Sequence, residues 1–458
     1  MCITKDKQFY RTLLALAVPM VLQNLVTFSV GLADQVMIGR LGDAAVSGVY
    51  LGTQIQTVLQ VLSAGIEGSI LLLAAQYWGR RDVGSIRRVV SIGMGFSLLL
   101  GLLFTVVCAA FPRQVLGCFT REPGVIAEGQ QYLSAVCWSY FFFCITQALI
   151  AAMRSVEVTR IGLYVSLCSL VVDVVLNYGL IFGRLGLPAL GVHGAAVATL
   201  IARIVETVIM VVYTQAVDRR LQFRFSMLRH IDRVLLGDFV RYGLPIIAGQ
   251  LVWGSNLLAN SIILGRFSEA VITAAGLANT MNNLMYVAMN GLAGAVGIVI
   301  SKTVGSGDLR RIREYSRTVQ LLFLALGLCT SLLFFLLRDP FISLYAISDE
   351  AAAYTRRFIG ILCFTCIGTC YQCPSLFGLV KSGGDVSFVL KNDTLFVFGV
   401  VIPLSVIALK CGASPAVVFL CLKADQILKC IPAFFKIRRY NWMKNLTRAP
   451  APAEDAQE

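Results

Sequence analysis

The chain has 458 residues, 57% of them hydrophobic and only 14% charged, with a mean hydropathy of +0.77 and a formal net charge of +14. A soluble domain carries about 25% charged residues, so the composition excludes a water-soluble globular protein. It fits a polytopic membrane protein, in which each crossing helix needs about 20 apolar residues.

In chain order, hydrophobic segments are predicted at about 12–37, 45–77, 88–112, 127–153, 159–182, 193–217, 234–265, 271–304, 314–337, 354–380, 386–409 and 413–437. The expected fold is therefore all-α, with twelve transmembrane helices. Most of the 39 Lys and Arg fall at the N-terminus, in the loops after even-numbered helices and at the C-terminus. Positive residues stay on the cytoplasmic side, which predicts a multi-pass protein of the plasma (inner) membrane with both termini cytoplasmic. The basic balance then reflects topology and contact with membrane lipids, and no nucleic-acid partner is expected. The first segment contains Ala15-Leu16-Ala17, but it continues well past this cleavage-like triplet and reads as a retained helix. The Pro/Ala-rich end APAPAEDAQE reads as a disordered tail.

The stretch from Pro19 to Arg88 fits without a gap onto Pro245 to Glu314. Pro19 falls on Pro245, Gly39-Arg40 on Gly265-Arg266, Gly65 and Gly68 on Gly291 and Gly294, Gly79 on Gly305, and Asp82 on Asp308. Such a repeat means two copies of one structural unit. Because six crossings return the chain to the same side, the copies must be parallel and related by an axis along the membrane normal. The expected organisation is an N-terminal six-helix lobe at 1–217, a cytoplasmic basic linker at 218–233, a C-terminal six-helix lobe at 234–440 and a cytoplasmic tail at 441–458. One position breaks the symmetry: Asp34 falls on Asn260, so only the first copy carries the charge.

Catalytic and nucleotide-binding signals are missing from the sequence. There is no GxxxxGK[ST] loop and no nucleophile motif. His193 and His230 are too far apart in sequence to suggest a metal cluster. Cys363, Cys366, Cys370 and Cys373 run along one helix face, where they cannot converge on a tetrahedral ion, and are expected to pack at a helix interface. The chain is not expected to be an enzyme, and an ion gradient is its expected energy source.

Ionisable groups inside a membrane cost about 2.5–3.5 kcal/mol at the helix centre and tend to face a cavity or a partner. The candidates are Asp34 on helix 1, Glu67 on helix 2, Asp173 and Asn177 one turn apart on helix 5, Thr199, Arg203 and Glu206 on helix 6, and Lys423, Asp425 and Lys429 on helix 12. Arg203 and Glu206 are spaced to pair with each other. Lys423 and Asp425 are expected to pair or to snorkel.

These features together resemble the multidrug and toxic compound extrusion (MATE) family. The resemblance is carried by the helix-1 proline followed by ADQVMIGRLGDAAVSG, the loop AAQYWGRRD, and DVVLNYGLIFG running into GVHGAAVATLIARIVE. The repeat GLPIIAGQ, LGRFSEAVITAAG and VGSGD, and the terminal IRRYNWMKNLTR, also fit. It implies two six-helix lobes around a central cavity, and secondary active efflux of cationic or amphipathic small molecules in exchange for Na⁺ or H⁺. A lipid or lipid-linked oligosaccharide flippase of the same superfamily is the alternative. No cofactor beyond the coupling ion is implied, and a monomer is expected. Asp34 matches the family's helix-1 aspartate, a cation and proton site. Asp173 and Asn177 present the family's helix-5 Asn and Asp in reversed order, and Thr199 matches a helix-6 threonine. These four are the expected coupling residues and would hold Na⁺ if Na⁺ is the ion. Gln35, Trp253, Asn260, Met281 and Met285 are candidate substrate-binding residues, with core packing the competing account of the methionines. Other members place carboxylates on helices 7 and 10. Here Trp253 stands at the helix-7 position and helix 10 has none, which points to coupling in the first lobe.

Overall fold

The computed structural model describes residues 4–448 apart from Arg121, Leu185, His230, Ile231, Leu344 and Ala346. All regular structure among these residues is helical. The first half consists of α1 (Lys7–Ile38), α2 (Asp43–Gly79), α3 (Val83–Ala110), α4 (Pro123–Ser155), α5 (Arg160–Phe182) and α6 (Gly191–Val217). The second consists of α7 (Arg233–Leu264), α8 (Glu269–Ser306), α9 (Leu309–Ser343), α10 (Asp349–Lys381), α11 (Val386–Lys410) and a broken α12. Side-chain caps start several of them. Asp6 accepts from the Gln8 amide, Asp82 from Ser85, Asp232 from Val234 and Leu235, and Ser348 from Ala351. Pro19 and Pro245 lie inside α1 and α7, as the repeat requires.

Among the described residues, eleven helices are long and apolar enough to cross a membrane. The twelfth departs from the expected continuous helix. It is built from three pieces, Pro415–Leu422, Asp425–Leu428 and Cys430–Arg439. Two physical causes are visible. The first break, at Lys423 and Ala424, is tightened by three-residue hydrogen bonds such as Gln426 N–H to the Lys423 carbonyl at 3.1 Å. Near the second, Pro432 lacks the amide that would bond the Leu428 carbonyl.

The two halves repeat one packing scheme. α1 packs on α5, α2 and α3 on α4, and α6 on α4 and α5. The same pairings recur as α7 on α11, α8 and α9 on α10, and α12 on α10 and α11. The lobes meet through α1 against α8, its symmetry mate α7 against α2, and α2 against α8. Long apolar side chains on the outside of α3 and α9, including Leu99, Leu102, Leu103, Leu332, Leu333 and Leu336, are exposed. In a membrane they face lipid.

Glycines make the seam between the lobes, and each contact occurs twice. Gly65 meets Ile247 and Gly291 meets Val21; Gly68 meets Ile246 and Gly294 meets Met20. At one end, Gly79 lies against the Lys302 carbonyl and Gly305 against the Gln76 carbonyl, so that a Cβ on either would collide with backbone. On this side the lobes also share hydrophobic cores. Phe9, Leu13, Leu16 and Met20 of α1 pack with α8 and α9 residues, while Phe239 and Ile246 of α7 pack with α2 residues Ile70 and Leu73. At the other end each lobe has its own core, around Ile38, Val49 and Leu133 in one and Ile263, Val271 and Phe358 in the other. Gly31, Gly254 and Gly276 have open space beside them there. The lobes are joined at the end bearing the basic loops and splayed at the opposite end.

The chain after α12 corrects the expected tail over 441–448; residues 449–458 lie outside the described residues, as does His230. Trp442 is fully buried against Gly383, and the Lys444 amide donates to the Gly383 carbonyl at 2.7 Å. The segment then crosses to the first lobe. There the Leu446 amide donates to Gln76 Oε1 at 2.8 Å and Arg80 donates to Thr447 Oγ1 at 3.0 Å, while Arg448 returns to the second lobe and grips Asp238 of α7 through two bonds of 2.6 and 2.8 Å. Lys444 and Lys436 both pair with Asp385 in the α10–α11 loop, at 2.8 and 2.6 Å. Burial pushes the Asp385 carboxyl up, but the hydrogen bonds from Lys436 and Lys444 outweigh it and hold it below the ordinary carboxylate value. This contribution is complete above the unfolded-state value and is lost as pH falls through the lower folded one. Trp442→Ala is expected to cost about 3–5 kcal/mol, read as a lower melting temperature of the purified protein; an unchanged melting temperature would mean that the strap does not support the fold.

Candidate functional site: a carboxylate pair in the first lobe

Three helices bring the expected coupling residues together. α1 contributes Asp34 one turn before its end, α5 contributes Asp173 and Asn177 on one face, and α6 contributes Thr199 and Arg203 on one face. Asn177 Nδ2 donates to Asp34 Oδ1 at 2.7 Å and to Asp173 Oδ2 at 3.0 Å, bridging the two carboxylates. Asp173 and Asn177 are buried, whereas Asp34 is half-buried at the splayed end. The shared Asn177 amide thus holds the two carboxyl groups as neighbours, and Thr199 comes from the adjoining α6. Asn177 Oδ1 is buried with no hydrogen-bond partner.

One guanidinium faces this acid group. Arg203 donates to Glu206 at 2.8 Å, the pairing expected from their spacing, and stands over the Phe143 ring at 5.2 Å. Its charge also acts on Asp34 and Asp173. Three carboxylates thus surround one fixed cation. Tyr132, buried against Gly52, is a further neighbour of both aspartates. Nothing in the sequence singles out this tyrosine. Lower in the lobe, Glu67 accepts from Ser63 at 3.1 Å and lies in the field of Arg154, which itself donates to Gln23 at 2.8 Å.

The donor set suits a hard cation or a proton. It offers two carboxylates, the unpartnered Asn177 carbonyl oxygen and a hydroxyl, all oxygen. Among the described residues no group of three or more His, Cys, Asp or Glu is arranged to hold a metal ion, so any alkali ion here depends on the neutral oxygens as well.

The second lobe does not repeat this arrangement. Asn260 turns its amide onto Asn256 of its own helix, at 2.7 and 3.1 Å. Met281 and Met285 are buried in the second lobe's core with Val271, Phe358 and Cys366, the packing that competes with a substrate-binding role. Gln35 and Trp253 are exposed on α1 and α7. The four cysteines of α10 are all free, and Gly327 of α9 packs on Cys370, as expected of interface residues.

What the second lobe has instead is a buried charge cluster. Lys429 pairs with Asp393 at 2.9 Å and with Asp425 at 3.2 Å. Asp425 is therefore not the partner of Lys423, whose ammonium reaches Asn279 at 3.4 Å. Asp393, in the polar stretch Lys391-Asn392-Asp393-Thr394 of α11, was not among the sequence candidates.

The family model for MatE matches residues 19–179 and 245–407, one match in each half of the repeat. A probable multidrug resistance protein NorM from Rhizobium meliloti is 29% identical over 337 residues, 73% of this chain and 72% of that protein. An uncharacterized transporter, YisQ, from Bacillus subtilis is 24% identical over 96% of both chains. Among solved structures, an outward-facing MATE family transporter of the MOP superfamily superposes with a TM-score of 0.85 at 18% identity, over 96% of this chain and 98% of that one. A MOP superfamily transporter from Pyrococcus furiosus, whose structure is described as having a binding pocket of reverse polarity, gives 0.82 at 17% identity over the same shares. With the matched segments beginning at the two repeat prolines, Pro19 and Pro245, and a two-lobed fold shared with solved members, the chain belongs to the MatE family of multi-pass membrane transporters.

Proposed function

We propose that the protein is an ion-coupled multidrug exporter of the plasma membrane, exchanging cationic or amphipathic small molecules for Na⁺ or H⁺ through the Asp34–Asp173 pocket. The observation that carries this reading is the bridge made by Asn177, which holds two carboxylates together while its own carbonyl oxygen is left without a partner. Two carboxylates bridged by one amide do not readily both stay ionised in a low-dielectric interior without a compensating charge. A bound proton or cation neutralises the pair and lets α1, α5 and α6 close on each other. Its departure restores negative charge, which attracts a cationic substrate into the same lobe. Ion and substrate then compete, as exchange requires, and the ion shifts the equilibrium only by its differential affinity for the two states.

With both termini cytoplasmic, the joined end of the lobes faces the cytoplasm and the splayed end faces outward. The names of the multidrug resistance relatives support the substrate class. The test is transport of a fluorescent organic cation by reconstituted vesicles with Na⁺ and pH gradients imposed separately. Concentrative transport driven by one of them is expected; equilibration alone under both would overturn the reading.

A further inference from the structure

The two lobes contain the same chemical motif with opposite charge accounting. In the first, two carboxylates are bridged by a neutral amide, Asn177, at 2.7 and 3.0 Å. In the second, Asp393 and Asp425 are bridged by an ammonium, Lys429, at 2.9 and 3.2 Å. All three second-lobe side chains are close to nine-tenths buried. The bridge is therefore only weakly screened by solvent. We propose that Lys429 is the resident cation of the second lobe: its ammonium fills a two-carboxylate cation site that would otherwise take an alkali ion from solution. Exchangeable ion traffic is thereby confined to the first lobe.

The backbone around the triad supports a built site. Lys429 stands at the second break of α12, and Asp425 follows the first. Asp393 precedes a π-helical turn at Val397–Val401 in α11. Irregular backbone at membrane depth is tolerated where it is buried in protein around a polar site, and π-turns concentrate at functional positions. The surrounding charges lean the same way. Lys423 and Lys381 make no ion pair among the described residues. Lys381 lies over the Phe377 ring at 5.2 Å, in the field of Asp393, and Lys423 lies in the field of Asp425. Lys429 alone contacts the two carboxylates, with Lys381 and Lys423 as further positive charges in the same region. The absence of carboxylates from the middle of α7 and from the body of α10 is the complement of this arrangement.

The inference rests on the first-lobe pocket being the coupling site, and the experiment separates the two. Binding of ²²Na⁺, supplied as the chloride, is measured on full-length protein in lipid vesicles. In an Asp34→Asn background, with the first-lobe site disabled, binding is expected at background level. Adding Lys429→Ala leaves Asp393 and Asp425 without their cation, and binding is expected to rise to about one Na⁺ per chain. Adding Asp393→Asn to that variant abolishes the gain. Equal binding with and without Lys429 overturns the proposal, whereas Na⁺-coupled transport that survives Asp34→Asn overturns the first-lobe reading instead. Since an uncompensated buried pair can unfold the lobe, a second variant replaces all three charges together, Asp393→Asn, Asp425→Asn and Lys429→Met. Neutralising a whole buried triad is often tolerated. This variant is expected to keep the ion dependence of wild-type transport, and loss of that dependence in a normally inserted protein overturns the proposal.

Discussion

Asp34→Asn is expected to abolish gradient-driven transport while leaving the protein folded and inserted. The substitution keeps the side-chain volume, and the amide oxygen it introduces can still accept from Asn177 Nδ2, so the bridge at 2.7 Å survives. What disappears is the ionisable oxygen pair that holds the coupling charge. Without differential ion affinity between the two states, the gradient can do no work. The substrate ratio across the vesicle membrane should return to about 1, although passive equilibration can persist. Asn260→Asp, at the symmetry-related place, is not expected to restore coupling. There the new carboxylate meets Asn256 rather than a second acid, and it carries the cost of an uncompensated membrane charge, about 2.5–3.5 kcal/mol. If Asp34→Asn concentrates substrate at the normal rate, Asp34 is a structural carboxylate and the pocket has been misassigned.

Gly79→Val is expected to have an effect of similar size by a different route. Gly79 lies against the Lys302 carbonyl, and its mate Gly305 lies against the Gln76 carbonyl. The neighbours are backbone, so neither can move aside as a side chain would. Overpacking costs about 1–3 kcal/mol or more, and here it falls on the joined state alone. That corresponds to a shift of about fivefold to 140-fold in population away from the joined state. The readouts are a comparable loss of transport and faster labelling of a cysteine introduced at Ser306. Gly117→Ala, where nothing lies within 4 Å, should change neither. Normal transport by Gly79→Val would show that this crossing is not part of the cycle.

The sequence disclosed these glycines before it disclosed their purpose. Gly65, Gly68 and Gly79 were visible as repeat-conserving positions with Gly291, Gly294 and Gly305, but a repeat states only that two units are alike. That the units meet at those glycines is a tertiary fact. The same limit explains the charges. Asp34, Asp173, Asn177 and Thr199 could be collected from helical spacing and resemblance because each is a polar residue at a familiar place. Asp393 lies beside Lys391, Asn392 and Thr394 near the start of its helix, where a polar cluster reads as a helix end, and its meaning depends on Lys429, contributed by another helix. Pro432 could have signalled the break in α12, but hydropathy alone runs straight through it. The methionines at 281 and 285 have helical spacing whether they line a cavity or fill a core, and only packing distinguishes the two. Trp442 stands in a short polar stretch after the last hydrophobic segment, so its complete burial depends on Gly383, a residue that local patterning does not connect to it.

The strap made by residues 441–448 has no twin. The segment after α6 stays on its own lobe, where the Leu221 carbonyl accepts from Arg87 at 2.7 Å and Arg220 donates to the Val156 carbonyl at 2.8 Å. The segment after α12 instead ties the second lobe to Gln76 and Arg80 of the first. A pair of lobes that were alike in every contact could open either way with equal ease. With the joined end cytoplasmic, as proposed above, the strap is expected to act as a one-sided preload that favours the mouth-outward state. Turning inward then demands an unlatching step, supplied by ligands that bind more tightly to the inward state. A preload of about 1.4 kcal/mol slows or depopulates that step about tenfold. On the proposed function, the rate of transport is thus expected to depend partly on eight residues that lie outside the Asp34–Asp173 pocket.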